Sequence, residues 1–251
     1  MPLPKIATPT YELVLPSSNK KIKYRPFLVK EEKILILAME SQDSTQIANA
    51  VKDVISNCIL SRGVKVEKLS TFDIEYLFLN IRGKSVGEDI EVMVTCPDDG
   101  KTQVPKSINI DSIKVQKGED HSRDIKLDDN YTLRMKYPSL TEFIKNNFAA
   151  AEMGVDDTFE LISSCIEQVY SEEESWTSED CTKKELSQFL DQLNSSQFKE
   201  IEKFFETMPK LSHKVKVTNP NTNVESEIVL EGLQNFFGRV WHTKILSHTI
   251  N

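Results

Sequence analysis

The sequence predicts an α+β protein: an N-terminal β-hairpin and helices, an antiparallel β-insert, and a C-terminal helical half closed by a β-hairpin. Three observations predict it. Apolar residues recur at helical spacing between Lys30 and Gly83, alternate with polar ones between Glu88 and Tyr137, and return to helical spacing behind capping residues after Pro138. The corresponding segments are 1–87, 88–137 and 138–251, with the first and third continuous as one globular unit.

Each element has its own local signal. Leu13 and Leu15 alternate with Val14, Pro16-Ser17-Ser18-Asn19 is a turn, and Ile22 and Tyr24 alternate with Lys21, Lys23 and Arg25. Pro26 ends that ladder because it has no N–H to donate, and Ile34, Leu35, Leu37 and Ala38 begin a helical stripe. Asp43 with Gln46 three residues on marks a second helix, whose buried face is Ile47, Ala48, Val51, Val54, Ile55, Cys58 and Ile59 and whose end is Arg62-Gly63. Ser70 caps a third, with Asp73 in its first turn and apolar surface up to Gly83.

Five alternating runs follow, around Ile90–Val94, Val104–Ile110, Ile113–Val115, Ile125–Leu127 and Leu133–Met135. They are separated by the turn residues of 97–100, 117–120 and 128–130, and they read as an insert of four or five strands. Ser139-Leu140-Thr141-Glu142 is a capping box, and Asp157/Glu160, Thr182/Glu185 and Asn194/Gln197 signal three more helix starts. The last helix carries Phe198, Ile201, Phe204, Phe205 and Met208 on one face and stops at Pro209. Residues 171–180 read as an acidic loop anchored by Trp176. His213, Val215 and Val217, a turn at 219–223, then Ile228 and Leu230 form a closing hairpin, and a short helix at 233–237 precedes Trp241.

Composition narrows the function. The 251 residues carry a net charge of −8, which disfavours a general binder of phosphate backbones. No apolar run reaches membrane-spanning length and no signal sequence opens the chain, so the reading is a protein made in a host cytoplasm. Cys58, Cys96, Cys165 and Cys181 lie far apart and read as reduced thiols. No catalytic group is nominated: His121, His213, His242 and His248 have no nucleophile or acid placed beside them by any motif. Asp98-Asp99 and Asp128-Asp129-Asn130 lack the alternate-residue spacing of a calcium loop.

One internal echo raises a metal question. Val92–Asp98 and Val215–Asn221 share V-x-V-T-[C/N]-P-[D/N], the strand-into-turn pattern at which zinc ribbons place C-P-x-C. Here Asp99, Asn219 and Thr222 stand where three of the four thiolates would be, so no metal and no cofactor is expected. Side-chain hydrogen bonds to turn N–H groups are the expected substitute.

The block LVLPSSNKKIKYRPFLVKEEKILILAMES, the Lys136-Tyr137-Pro138 tripeptide, and Gly232-Leu233-x-x-Phe236-Phe237 together resemble the baseplate hub assembly proteins of T-even-like contractile-tailed phages. The resemblance implies a protein that binds other hub, baseplate or tape-measure subunits, as an assembly factor or as a structural component of the tail. The alternatives are a chaperone that holds the tape-measure protein and, more remotely, an enzyme. The candidate contact residues are the basic strand Lys20, Lys21, Lys23 and Arg25 and the aromatic tail Phe236, Phe237 and Trp241. No nucleic acid and no membrane is expected as a partner.

Overall fold

A computed structural model describes residues 6–41, 43–140 and 154–232. It divides the chain into two compact units, one of residues 1–116 and 210–251 and the other of Lys117–Pro209. The architecture is α+β, as the sequence predicts, and every strand pairing among the described residues is antiparallel.

In chain order the first unit begins with β1 (Tyr11–Val14) and β2 (Lys21–Tyr24), then α1 (Val29–Glu40), α2 (Ser44–Cys58) and α3 (Thr71–Val86). β3 (Asp89–Thr95), β4 (Gln103–Asn109) and β5 (Lys114–Gln116) follow. The second unit holds β6 (Asp124–Lys126), β7 (Thr132–Met135), α4 (Val155–Ser164), β8 (Ile166–Tyr170), β9 (Ser175–Thr177), α5 (Lys183–Leu190) and α6 (Ser195–Thr207). The chain then returns to the first unit as β10 (Lys210–Thr218) and β11 (Glu225–Glu231). The return is tight: Gln116 and Lys210, the last and first residues of the two segments, are register partners in the β5–β10 ladder.

α3 is the centre of the first unit. Ile74, Leu77, Leu79 and Ile81 are fully buried, as are neighbours on its other sides, so the helix is enclosed rather than amphipathic. It touches α2, β5, β10 and the 3-10 turn Ile110–Ser112. Gly83 admits the last of these, since a Cβ there would lie 2.9 Å from Ile110 Cδ1. Ser70 takes the N-cap position, but its hydroxyl is buried without a hydrogen-bond partner. The carboxylate of Asp73 instead accepts from the backbone N–H of Ser17 at 3.0 Å and from the Ser17 hydroxyl, tying the β1–β2 turn to the positive end of the helix.

Three hairpin tips use one turn. Leu15, Cys96 and Asn219 are buried, each is followed by proline, and the fifth residue (Asn19, Gly100, Asn223) has φ of 52°, 64° and 59°. In each, the N–H of that fifth residue donates to the carbonyl of the first, at 2.9, 3.0 and 2.8 Å.

The five strands of 88–137 are present as β3 to β7, and they are distributed over three sheets. Among the described residues β3 and β4 pair only with each other, β5 pairs with β10, and β6 and β7 form a sheet with β8 and β9. Alternation identifies a strand but not its partner. α2 ends at Cys58 rather than at Arg62-Gly63, because residues 58–61 leave the helix to pair with β2. α4 begins at Val155, so Asp157 lies in its first turn, where its carboxylate accepts the Gly154 N–H at 3.1 Å. The capping boxes at Thr182 and Asn194 form as expected. Residues 171–180 contain a hairpin tip and β9, and Trp176 is 40% exposed, tilted against Tyr131 at 6.2 Å. Thr141 and Glu142 of the remaining capping box lie outside the described residues, as does the short helix expected at 233–237.

The second unit packs Ile125, Leu133, Met135, Ile162, Ile166, Val169, Ile201 and Phe204 into one core. His121 sits at its side, 8% exposed, between Thr207 and Tyr137. Thr207 spends its hydroxyl hydrogen on the Lys203 carbonyl at 2.7 Å, so its oxygen accepts from His121 Nδ1–H at 3.0 Å. His121 Nε2 then accepts from the Tyr137 hydroxyl at 3.0 Å. Burial first, then the positive charges of Lys117 and Arg123, hold the imidazole below its ordinary pKa of 6.5. The unfolded chain therefore takes up a proton near pH 6.5 that the folded unit refuses. The stability of this unit falls as pH drops from 6.5 through the depressed value. Urea midpoints at pH 7.5 and 5.5 will show that loss, and His121→Gln will flatten it.

Candidate partner-binding surface

Alternation along β1 and β2 places Leu13, Ile22 and Tyr24 against the core and turns Glu12, Val14, Lys21 and Lys23 to solvent. Val14 is 48% exposed at the turn end of that outer face, opposite Lys21. Glu12 lies between the two lysines, 2.5 Å from Lys21 Nζ and 3.5 Å from Lys23 Nζ. The hydrogen bond from Lys21, helped by the charges of both lysines, outweighs the opposing effect of burial and holds its carboxyl below the ordinary range. Lys20 is exposed in the adjoining turn.

Arg25 does not share this face. Its guanidinium turns inward and meets Glu31, which is 0% exposed, with Nη2 to Oε1 at 2.9 Å and Nη1 to Oε2 at 3.3 Å. Arg25 also donates to the Pro26 carbonyl, and Glu31 accepts the Leu28 N–H at 2.8 Å and lies 3.3 Å from Lys30 Nζ. Burial alone raises the Glu31 carboxyl, but the hydrogen bonds from Arg25 and Leu28 outweigh it, and the carboxyl sits below its ordinary value. Arg25 is thus a structural clamp at the start of α1.

The backbone edge of β2 is also partly taken. The Lys23 N–H donates to Ser61 Oγ at 2.8 Å, the Lys23 carbonyl accepts from Leu60 N–H at 2.8 Å, and the Arg25 N–H donates to the Cys58 carbonyl at 2.9 Å. The β2 edge is therefore not an open ladder for an added strand, and what this strand leaves outward is its side-chain face. Helix α1 also exposes apolar side chains, which the sequence pattern obscured. Leu35 and Ala38 are buried, while Ile34 and Leu37, read as part of the same stripe, are 40% and 55% exposed. Phe236, Phe237 and Trp241 lie outside the described residues.

Of the groups weighed for chemistry, Asp128 and Cys58 have structural partners, and His242 and His248 lie outside the described residues. Asp128 Oδ1 accepts from the N–H groups of Asn130 and Tyr131 at 2.8 and 2.7 Å, which is turn chemistry. Cys58 is buried beside the Pro26 carbonyl, and burial pushes its thiol up to about 11. His213 sits in β10 opposite Leu230. A pocket of about 590 Å³ lies between α4 and α5, lined among others by Phe159, Leu186, Glu160, Lys183 and Asp191, with no histidine or cysteine among its lining residues. Among the described residues no group of three or more His, Cys, Asp and Glu side chains is arranged to hold a metal, and no helix is long and apolar enough to cross a membrane.

These features define an α+β protein of two units, one of which presents a lysine-bearing hairpin face that also exposes Val14. Residues 8–238 match the family model described as T4 bacteriophage base plate protein. The chain belongs to that family of T4-like phage baseplate proteins. No curated protein and no solved structure matches it.

Proposed function

We propose that the protein acts by binding rather than by catalysis, joining other tail proteins during construction of the baseplate hub. Membership of the baseplate family supports a setting among tail subunits. The observation that carries the binding role is the outer face of β1–β2, where exposed Val14 is bordered by Lys20, Lys21 and Lys23 on a chain of net charge −8. A local cationic face on an acidic protein selects an acidic partner surface and speeds encounter with it. The Glu12 pairs are solvent-exposed and are readily exchanged for a partner's carboxylates.

The protein assembles with its partners in the host cytoplasm and acts in the tail. Lys20→Glu, Lys21→Glu and Lys23→Glu together will weaken capture of purified hub and baseplate subunits by about tenfold at moderate salt, with an unchanged circular dichroism spectrum. Unchanged capture would remove the hairpin face from the reading. Arg25 must stay in that experiment, because a glutamate there would face buried Glu31 and disturb the fold itself. Mass spectrometry of mature particles then separates the two roles: presence at integral copy number identifies a structural subunit, and absence identifies a departing assembly factor.

A further inference from the structure

The two echoing turns, separated by about 120 positions in the chain, meet in the first unit. Asn219 Nδ2 lies 3.0 and 2.9 Å from the two carboxylate oxygens of Asp98 and 3.0 Å from Asp99 Oδ2. The Thr222 hydroxyl donates to Asp98, and Asn221 Nδ2 donates to Thr102 Oγ1 at 2.9 Å. Cys96 and Asn219 are both 0% exposed.

We infer that Cys96–Gly100 and Asn219–Asn223 are the two facing knuckles of a zinc ribbon in which hydrogen bonds have taken the place of the ion. Four ligand positions follow from the C-P-x-C spacing: Cys96 and Asp99 in one turn, Asn219 and Thr222 in the other. At three of them an oxygen accepts the N–H two residues further on, as a ligand atom in such a turn would. Asp99 Oδ1 accepts from Lys101 at 3.0 Å, Asn219 Oδ1 from Asn221 at 2.9 Å, and Thr222 Oγ1 from Val224 at 3.4 Å. The left-handed fifth residue, Gly100 in one turn and Asn223 in the other, completes the match in backbone. The Leu15–Asn19 turn is the internal contrast: it has the same backbone but a leucine at the first ligand position, and it engages Asp73 instead.

The chemistry of the exchange is complementary. A divalent ion would draw together four anionic thiolates; here the amide N–H groups of Asn219 and the hydroxyl of Thr222 draw in the Asp98 and Asp99 carboxylates. Hydrogen bonds from Thr222 and Asn219 hold Asp98 below the ordinary range, and those from Thr102 and the Lys101 N–H do the same for Asp99. Both carboxylates therefore stay charged as acceptors. The result joins the two separate chain segments of this unit by a lock that neither chelators nor reductants can open.

The test restores the thiolates. The full chain carrying Asp99→Cys, Asn219→Cys and Thr222→Cys, with native Cys96, is expected to bind one equivalent of cobalt with the visible spectrum of a tetrahedral thiolate centre. Zinc should displace the cobalt and raise the melting temperature, and a chelator should reverse that rise. The native chain should carry no stoichiometric zinc by elemental analysis. A folded variant that gives no tetrahedral cobalt spectrum overturns the assignment, as does stoichiometric zinc in the native protein. Should the triple variant not fold with or without zinc, Asn219→Cys alone decides. Facing knuckles bring its thiol within reach of Cys96, so oxidation followed by peptide mapping should find that disulfide, and its absence overturns the proposal.

Discussion

Glu31→Ala is expected to lower stability by about 3–5 kcal/mol, the scale on which breaking one side of a buried ion pair acts. The cost is that of a stranded group more than of a lost attraction. With Glu31 gone, the Arg25 side chain, 14% exposed, keeps its charge, and the Leu28 N–H at the start of α1 loses its acceptor. A urea titration should show a lower midpoint for Glu31→Ala and a smaller loss for the double change Arg25→Met, Glu31→Leu, which removes both charges together. The native pair also has a pH signature. The folded carboxyl is depressed below 4.5, so its contribution is complete above that pH and disappears as pH falls through the depressed value. An equal loss in the single and double variants would show that packing, not charge, governs the site.

Phe204→Ala is expected to cost about 3–5 kcal/mol in the second unit. The ring is 2% exposed and is surrounded by aromatic neighbours, with Tyr137 stacked at 5.7 Å, His121 at 5.1 Å and Phe205 edge-on at 5.1 Å. Its removal leaves a cavity and loosens the wall against which His121 is held. Native-state hydrogen exchange is the measurement: protection should fall in β6–β9 and α6, while α2 and α3 keep theirs. Uniform loss across both units would contradict a core confined to Lys117–Pro209.

Much of this was legible where a signal is local. The boxes at Thr182 and Asn194 depend on side chains three residues apart, and alternation in β1, β2, β3 and β10 depends on neighbours two apart. β8 escaped notice because its burial does not alternate: Ile166 and Val169 are buried three apart, next to a register shift between Arg134 and Met135. Arg25 was misassigned by a single step of the same logic. Alternation puts it on the face of Lys21 and Lys23, but the strand ends at Tyr24, and Arg25 is free to turn toward a carboxylate six residues on. The partner of β5 could not be read at all, because nothing within Lys114–Gln116 points to a strand more than ninety residues away. The echo of the two proline turns was visible in sequence, yet their meeting was not, since pattern reports shape and not proximity.

The nesting of one unit within the other also sets a timetable for synthesis. Lys117–Pro209 is contiguous, so it has all its residues once Pro209 has left the ribosome. The first unit has to wait. Until Lys210–Glu231 emerges, β5 lacks its neighbour, α3 lacks the strand β10 that it packs against, and the Asp98–Asp99 turn faces no Asn219. The half-made protein therefore carries an open apolar surface through the translation of ninety-three residues, the count from 117 to 209 inclusive. That interval is when nascent chains on neighbouring ribosomes are most able to stick to one another.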